Sequence, residues 1–163
     1  QTHLRPYKKY MQEVTELIEV INSKYGSAQW YPIDFFYENN YAQAIAGMKL
    51  HDVLLVNAVI DGMNLVAKEY VAANVDNKGV LLLSRFTGSA RELGKGAILI
   101  NPYDFEATAD AIRKAIQMPK DDRREKMHGL RKTLARRNIY AWAENFILSL
   151  DLQSSYVHDV NKP

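Results

Sequence analysis

The sequence predicts an α/β fold of the Rossmann-like kind, a parallel sheet with helices on both faces. Three runs carry that prediction: Asp52-Val53-Leu54-Leu55-Val56, Gly79-Val80-Leu81-Leu82-Leu83-Ser84 and Gly96-Ala97-Ile98-Leu99-Ile100-Asn101. Each is continuously aliphatic rather than alternating, is bounded by turn or polar residues and is followed by a helical pattern. Continuous apolar strands are buried on both faces, and their alternation with helices gives right-handed crossovers between parallel neighbours. A chain of 163 residues suffices for one domain with a real core. Its 47% hydrophobic and 25% charged residues exclude disordered, collagen-like and coiled-coil classes.

The elements follow in order. Tyr7, Tyr10, Met11, Val14, Leu17, Ile18 and Ile21 recur at helical spacing and predict an amphipathic helix ending before Gly26. Ala28 to Phe36 is aromatic and interrupted by Pro32, the pattern of a short or edge strand leading into a loop. A weaker helical pattern covers Tyr41 to Met48. Between the aliphatic runs lie helical segments at Asn64 to Val75 and near Gly88 to Leu93. After the third run a helix is expected over Phe105 to Gln117, with Phe105, Ala109, Ile112 and Ile116 on one face. Pro119 breaks it, and Asp121 and Asp122 suit the first turn of one final helix. That helix carries Met127, Leu130 and Leu134, then Trp142, Phe146 and Leu150, with Trp142 and Phe146 read as core or interdomain packing. The expected domain covers residues 1–152, and residues 153–163 read as a frayed polar tail.

Composition narrows the function classes. The net charge of +2 is too small to argue for a nucleic-acid partner. A local excess does exist, because Lys120, Arg123, Arg124, Lys126, Arg131, Lys132, Arg136 and Arg137 outnumber Asp121, Asp122 and Glu125. No aromatics interleave these cations, so the stretch reads as a solvated helix face rather than a nucleic-acid grip. The apolar runs fall far short of the ~18 residues of a membrane span, so no membrane partner is expected. The absence of cysteine excludes disulfides, zinc–thiolate sites and a thiol nucleophile, and fits a reducing, cytoplasmic setting. His3, His51, His128 and His158 are scattered, with no Ser and Asp in a recognisable motif and no metal-ligand spacing. Neither a metal nor another cofactor is expected.

Open parallel sheets bind ligands at the carboxyl ends of their strands, where loops pass into helices. The most unusual such junction is Asn57-Ala58-Val59-Ile60-Asp61-Gly62-Met63-Asn64-Leu65-Val66-Ala67-Lys68-Glu69. Gly62 allows a tight turn, and the amides of Met63 to Val66 would be unpaired donors of a new helix, suited to phosphate. Asp61 would sit at the lip of the junction, and Glu69 about two turns into the helix. Two acceptors flanking a row of donors match a diphosphate with hydroxyls on both sides, as in a nucleotide sugar. Spacing alone equally allows Asp61 to be a helix cap and Glu69 a solvated surface charge.

The block Asp61-Gly62-Met63-Asn64-Leu65-Val66-Ala67-Lys68-Glu69-Tyr70, then Gly79 to Ser84, Glu92-Leu93 and Asn101-Pro102-Tyr103-Asp104, resembles the carboxy-terminal domain of the trehalose-6-phosphate synthase family of retaining glycosyltransferases. The resemblance continues through Ile21 to Gly26, Trp30 to Ile33, Met118-Pro119, Arg123-Arg124 and Trp142-Ala143, covering roughly residues 7–152. It implies the carboxy-terminal half of a two-domain GT-B enzyme, with UDP-glucose or another nucleoside diphosphate glucose as donor substrate. It also implies that Asp61, as the catalytic-site residue, contacts the glucose hydroxyls and that Gly62 and Met63 form the sugar-facing turn. The amides of Asn64, Leu65 and Val66 would bind sugar or diphosphate, and Glu69 would hold the ribose. Retention by such enzymes needs no protein nucleophile, because the departing phosphate serves as base in a front-face attack.

Asn57-Ala58-Val59-Ile60 stands where trehalose-6-phosphate synthases most often have Thr-Pro-Leu-Arg. Glucose 6-phosphate is the first acceptor considered, with glucosylglycerol-phosphate and validoxylamine-phosphate types as alternatives beside a non-catalytic nucleotide-sugar-binding module. The chain begins at Gln1 and is expected to be a piece of something longer. An amino-terminal domain of the same protein would supply the acceptor pocket, and an upstream Arg and Lys would neutralise the diphosphate. This chain alone is accordingly expected to be inactive. A homo-oligomer is compatible with the sequence.

Overall fold

The computed structural model describes residues 4–160, with side chains described as far as residue 150. Where one domain over residues 1–152 is expected, the chain divides into two compact units, Gln1–Asn39 and Asn40–Pro163. In the first unit, helix α1 spans Arg5–Tyr25 and buries none of its residues. Asn22 ties down the segment that follows: its amide nitrogen donates to the Ile33 carbonyl at 2.8 Å and its oxygen accepts from the Ile33 amide at 2.9 Å. No strand forms over Ala28 to Phe36; a single antiparallel bridge joins Ser27 to Trp30. The aromatic run has no neighbouring strand to pair with, and Pro32 has no N–H to give.

The second unit holds α2 (Tyr41–Leu50), β1 (Val53–Val56), α3 (Leu65–Ala73), β2 (Val80–Ser84), α4 (Ala90–Leu93), β3 (Ile98–Ile100), α5 (Phe105–Gln117), α6 (Lys120–Arg136) and α7 (Ile139–Val160). The three strands form a parallel sheet in the order β1-β2-β3, with Leu82 opposite Leu55 on one side and Ile98 on the other. Every residue of β2 is buried, as a central strand covered on both faces requires. The outer strands are less enclosed, and Leu55 and Leu99 stay exposed. On one face Met48, Ala67, Tyr70, Val71, Leu93, Met127 and Leu130 pack with Leu81 and Leu83. On the other, Val80, Leu82 and Ile100 meet Ala111 and Ala115 of α5. Helices therefore cover both faces of the sheet, as predicted.

Burial of the Tyr70 hydroxyl pushes its pKa up to about 12, and it lies near the carbonyls of Val80 and His51 at 3.4 and 3.5 Å.

Five local readings change. The buried face of α5 is Thr108, Ala111 and Ala115 with Ile112 beside them, whereas Phe105 is 80% and Ile116 60% exposed. Alanines win the sheet-facing positions because they let the helix backbone come close to it. The single final helix is two, α6 and α7, separated at Asn138, whose side-chain oxygen accepts from the Tyr140 and Ala141 amides at 3.0 Å each. Helix α7 then continues through Val160, past the expected start of a tail. Trp142 and Phe146 are not core within this chain; they are 62% and 52% exposed and stack on each other at 5.4 Å. The basic helix is also not merely solvated, for Arg123 donates to the Met118 carbonyl and Arg131 to that of Val75. No helix among the described residues is long and apolar enough to cross a membrane.

Candidate functional site

The carboxyl ends of β1 and β2 build the site together. Asp61 and Thr87 form a parallel bridge beyond the strands, in which the Asp61 amide donates to the Phe86 carbonyl at 3.3 Å. The Gly88 amide returns to the Asp61 carbonyl at 3.0 Å, and the Ser89 amide reaches Met63 at 3.1 Å. Gly88 has to be glycine for this approach, since a Cβ there would lie 1.9 Å from the Gly62 carbonyl oxygen. Buried hydroxyls brace the second loop: Thr87 Oγ1 donates to the Ser84 carbonyl at 2.9 Å and lies 3.2 Å from Ser89 Oγ. This loop, Arg85 to Ser89, escapes the sequence reading, although a Ser, Thr and Gly cluster at a strand end is the turn signal that could have found it.

Asp61 folds inward on its own turn. One carboxylate oxygen accepts from the Met63 and Asn64 amides at 3.0 and 2.9 Å, and the other from the Asn64 side chain at 3.1 Å. Asn64, at φ 61° in the left-handed region that asparagine tolerates, caps α3 by accepting from the Ala67 amide at 3.0 Å. The expected row of open donors from Met63 to Val66 is thus shortened. The Met63 and Asn64 amides are occupied, while those of Leu65 and Val66 have no partner among the described residues. The positive φ in this turn falls on Asn64, and Gly62 does not adopt one.

The side chain of Asn64, then the Met63 amide, hold the Asp61 carboxyl below the usual aspartate value of 3.8. An acid depressed in the folded state adds stability above its unfolded pKa, and that contribution fades as pH falls through the lower folded value. Carbon-13 titration of the carboxyl should therefore give a midpoint below 3.8, and Asn64→Ala should raise it. A midpoint at or above 3.8 in the parent chain would show that the turn is not closed in solution.

An open cleft of about 1310 Å³ lies beside this turn. Asp61, Gly62 and Met63 line it, with Lys68, the Arg85 to Gly88 loop, Arg91 and Glu92, and the α6–α7 break from Arg136 to Trp142. The structure does not bring Asn64, Leu65, Val66 or Glu69 onto that wall. Asn64 is spent on capping, and Glu69 is half-buried one position beyond the helix face that Lys68 turns inward. Lys68 binds both oxygens of Glu92 at 3.0 Å, joining α3 to α4.

Set beside known proteins, the chain matches the model of glycosyltransferase family 20 over residues 1–152. It is 38% identical over 150 residues to alpha,alpha-trehalose-phosphate synthase (UDP-forming) A of Dictyostelium discoideum, covering 91% of this chain and 20% of that protein. It is 39% identical over 150 residues to a trehalose-6-phosphate synthase of Sinorhizobium fredii, covering 91% and 32%. Among solved structures, the E. coli protein bound with UDP-2-fluoro glucose aligns with a TM-score of 0.86 at 34% identity, over 92% of this chain and 34% of that one. A UDP-forming synthase from Burkholderia xenovorans in complex with glucose-6-phosphate gives 0.85 at 33%, over 93% and 33%. The chain spans between a fifth and about a third of the length of these relatives.

Proposed function

Because the chain belongs to glycosyltransferase family 20, we propose that it contributes the nucleotide-sugar side of a glucosyltransferase that makes trehalose 6-phosphate with retention. Glucose would pass from UDP-glucose, or another nucleoside diphosphate glucose, to glucose 6-phosphate held by an amino-terminal domain of the same protein. The observation that carries this reading is the Asp61–Met63 turn at the carboxyl end of the sheet, locked by Gly88 and facing an open cleft. The nucleotide sugar and the sugar phosphate held by the two solved relatives support both substrate classes.

In this reading Asp61 has two duties. Its carboxylate shapes the turn, and it remains at the cleft edge as an acceptor for glucose hydroxyls. Gly62 and Met63 face the sugar. The Leu65 and Val66 amides, with the dipole of α3 behind them, are the donors left for phosphate oxygens. Leu65, Val66 and Glu69 lie off the wall of the cleft itself, so their part in this reading comes from the family resemblance, by which Glu69 would take the ribose hydroxyls. The protein contributes positioning and electrostatic stabilisation, with the departing phosphate acting as base.

Chemical-shift mapping with UDP and UDP-glucose tests the assignment. Perturbations should cluster from Asp61 to Glu69, and none there would reject it. Replacing Glu69 with alanine should weaken UDP about threefold to tenfold, the worth of one ribose hydrogen-bond acceptor, ~0.5–1.5 kcal/mol. An unchanged dissociation constant in a folded variant would remove Glu69 from the ribose site.

A further inference from the structure

The cleft carries more positive charge than its structure uses. Of its two carboxylates, Asp61 is engaged by its own turn and Glu92 by Lys68. Arg85, Arg91, Arg136 and Arg137 also line it, and none of the four forms an ion pair among the described residues. Arg91, Arg136 and Arg137 additionally face a second cavity of about 740 Å³ between α4 and α6, so they form a ridge shared by two concave surfaces. The break at Asn138 brings this about: by ending α6, it leaves Arg136 and Arg137 at a helix terminus on the cleft rim. Like charges gathered in one concavity repel one another unless an anion joins them, and low-dielectric walls focus their field.

We infer that Arg91, Arg136 and Arg137 form a phosphate subsite on the cleft that holds the Asp61–Met63 turn, a set separate from the upstream Arg and Lys that the family resemblance invokes. Planar guanidinium forks take phosphate oxygens two at a time, and several converging forks suit a group carrying more than one negative charge. The inference rests on the proposed donor-side reading for its account of which ligand brings the phosphate. The chemistry is common to a nucleoside diphosphate and a sugar phosphate, and experiment separates the two.

The test is a set of titrations of the 163-residue chain with inorganic pyrophosphate, UDP, uridine and glucose 6-phosphate, followed on arginine Nε–Hε resonances. Pyrophosphate should move the signals of Arg91, Arg136 and Arg137, and uridine should leave them in place. A stronger response to UDP assigns the subsite to the donor diphosphate, and a stronger response to glucose 6-phosphate assigns it to the acceptor. The double variant R136Q/R137Q should bind pyrophosphate about tenfold to a hundredfold more weakly, and R91Q about threefold to tenfold. K120Q/K132Q, on the same helix but off the cleft, should change it less than twofold. Equal weakening by both double variants, unchanged affinity in the folded R136Q/R137Q protein, or tighter binding of a random single-stranded oligonucleotide than of pyrophosphate would overturn the subsite. If UDP perturbs Asp61 to Glu69 while none of pyrophosphate, UDP and glucose 6-phosphate moves the three arginines, the subsite fails and the donor reading stands. If pyrophosphate moves the arginines while UDP leaves Asp61 to Glu69 unmoved, the donor reading fails and the subsite stands.

Discussion

Replacing Leu82 with alanine is expected to cost ~3–5 kcal/mol, the upper range for a fully enclosed leucine. Leu82 is fully buried at the centre of β2, flanked by β1 and β3 and covered by α5. Its neighbours Ala111 and Ala115 have no side chain to swing into the space left behind, so the cavity stays open. Against a typical total of ~5–15 kcal/mol, the loss would be visible as a large drop in the urea midpoint. Phe105→Ala makes the comparison sharp. Phe105 is the bulkiest residue on the face that α5 was expected to bury, yet its exposure predicts a change within ~0.5 kcal/mol. A loss at Leu82 below ~1 kcal/mol, or one at Phe105 as large as at Leu82, would mean that α5 is rotated from the packing described.

The same pair of residues shows what the sequence could convey. Strand positions were legible because a buried parallel strand is written as an unbroken aliphatic run, and the end of α5 because Pro119 follows it. Its face was not legible. A reading by hydrophobicity favours Phe105 and Ile116, whereas packing on a sheet selects for closeness and so for alanine. Trp142 and Phe146 are exposed in this chain, which removes only the core half of their reading as core or interdomain packing, since aromatic character says nothing of what lies opposite. The break at Asn138 was missed because the apolar periodicity across it suggested one continuous helix. At the site, the strand end and the glycine marked the right turn, and the family resemblance gave it a ligand. That Asp61 would consume two of the four expected amides, and that Thr87 to Ser89 would hold the turn in place, depends on loop geometry fixed by contacts more than twenty residues apart in sequence.

Two glycines at that turn should respond in opposite ways to the same added methyl. At Gly88 a Cβ would lie 1.9 Å from the Gly62 carbonyl oxygen and 2.9 Å from its carbon, distances no flexible side chain can relieve. The turn must move, straining three backbone hydrogen bonds, Asp61 to Phe86, Gly88 to Asp61 and Ser89 to Met63. Gly88→Ala should therefore cost ~2–3 kcal/mol of stability, as overpacking against rigid backbone does. It should also weaken UDP-glucose about tenfold to a hundredfold, because the sugar-facing turn is displaced. At Gly62 a Cβ would meet nothing within 4 Å, and its φ is not positive, so the fold gives no reason for glycine. Gly62→Ala should leave stability unchanged or raise it by ~0.5–1 kcal/mol through the unfolded chain. Yet Gly62 lines the cleft, and a methyl there occupies space that the donor sugar needs, so donor affinity should still fall about tenfold. Urea unfolding and calorimetric titration of both variants separate a glycine required by the fold from one required by the ligand. Full donor affinity in Gly62→Ala would take this turn out of the sugar site, and parent-like stability in Gly88→Ala would mean that the two loops are not locked together.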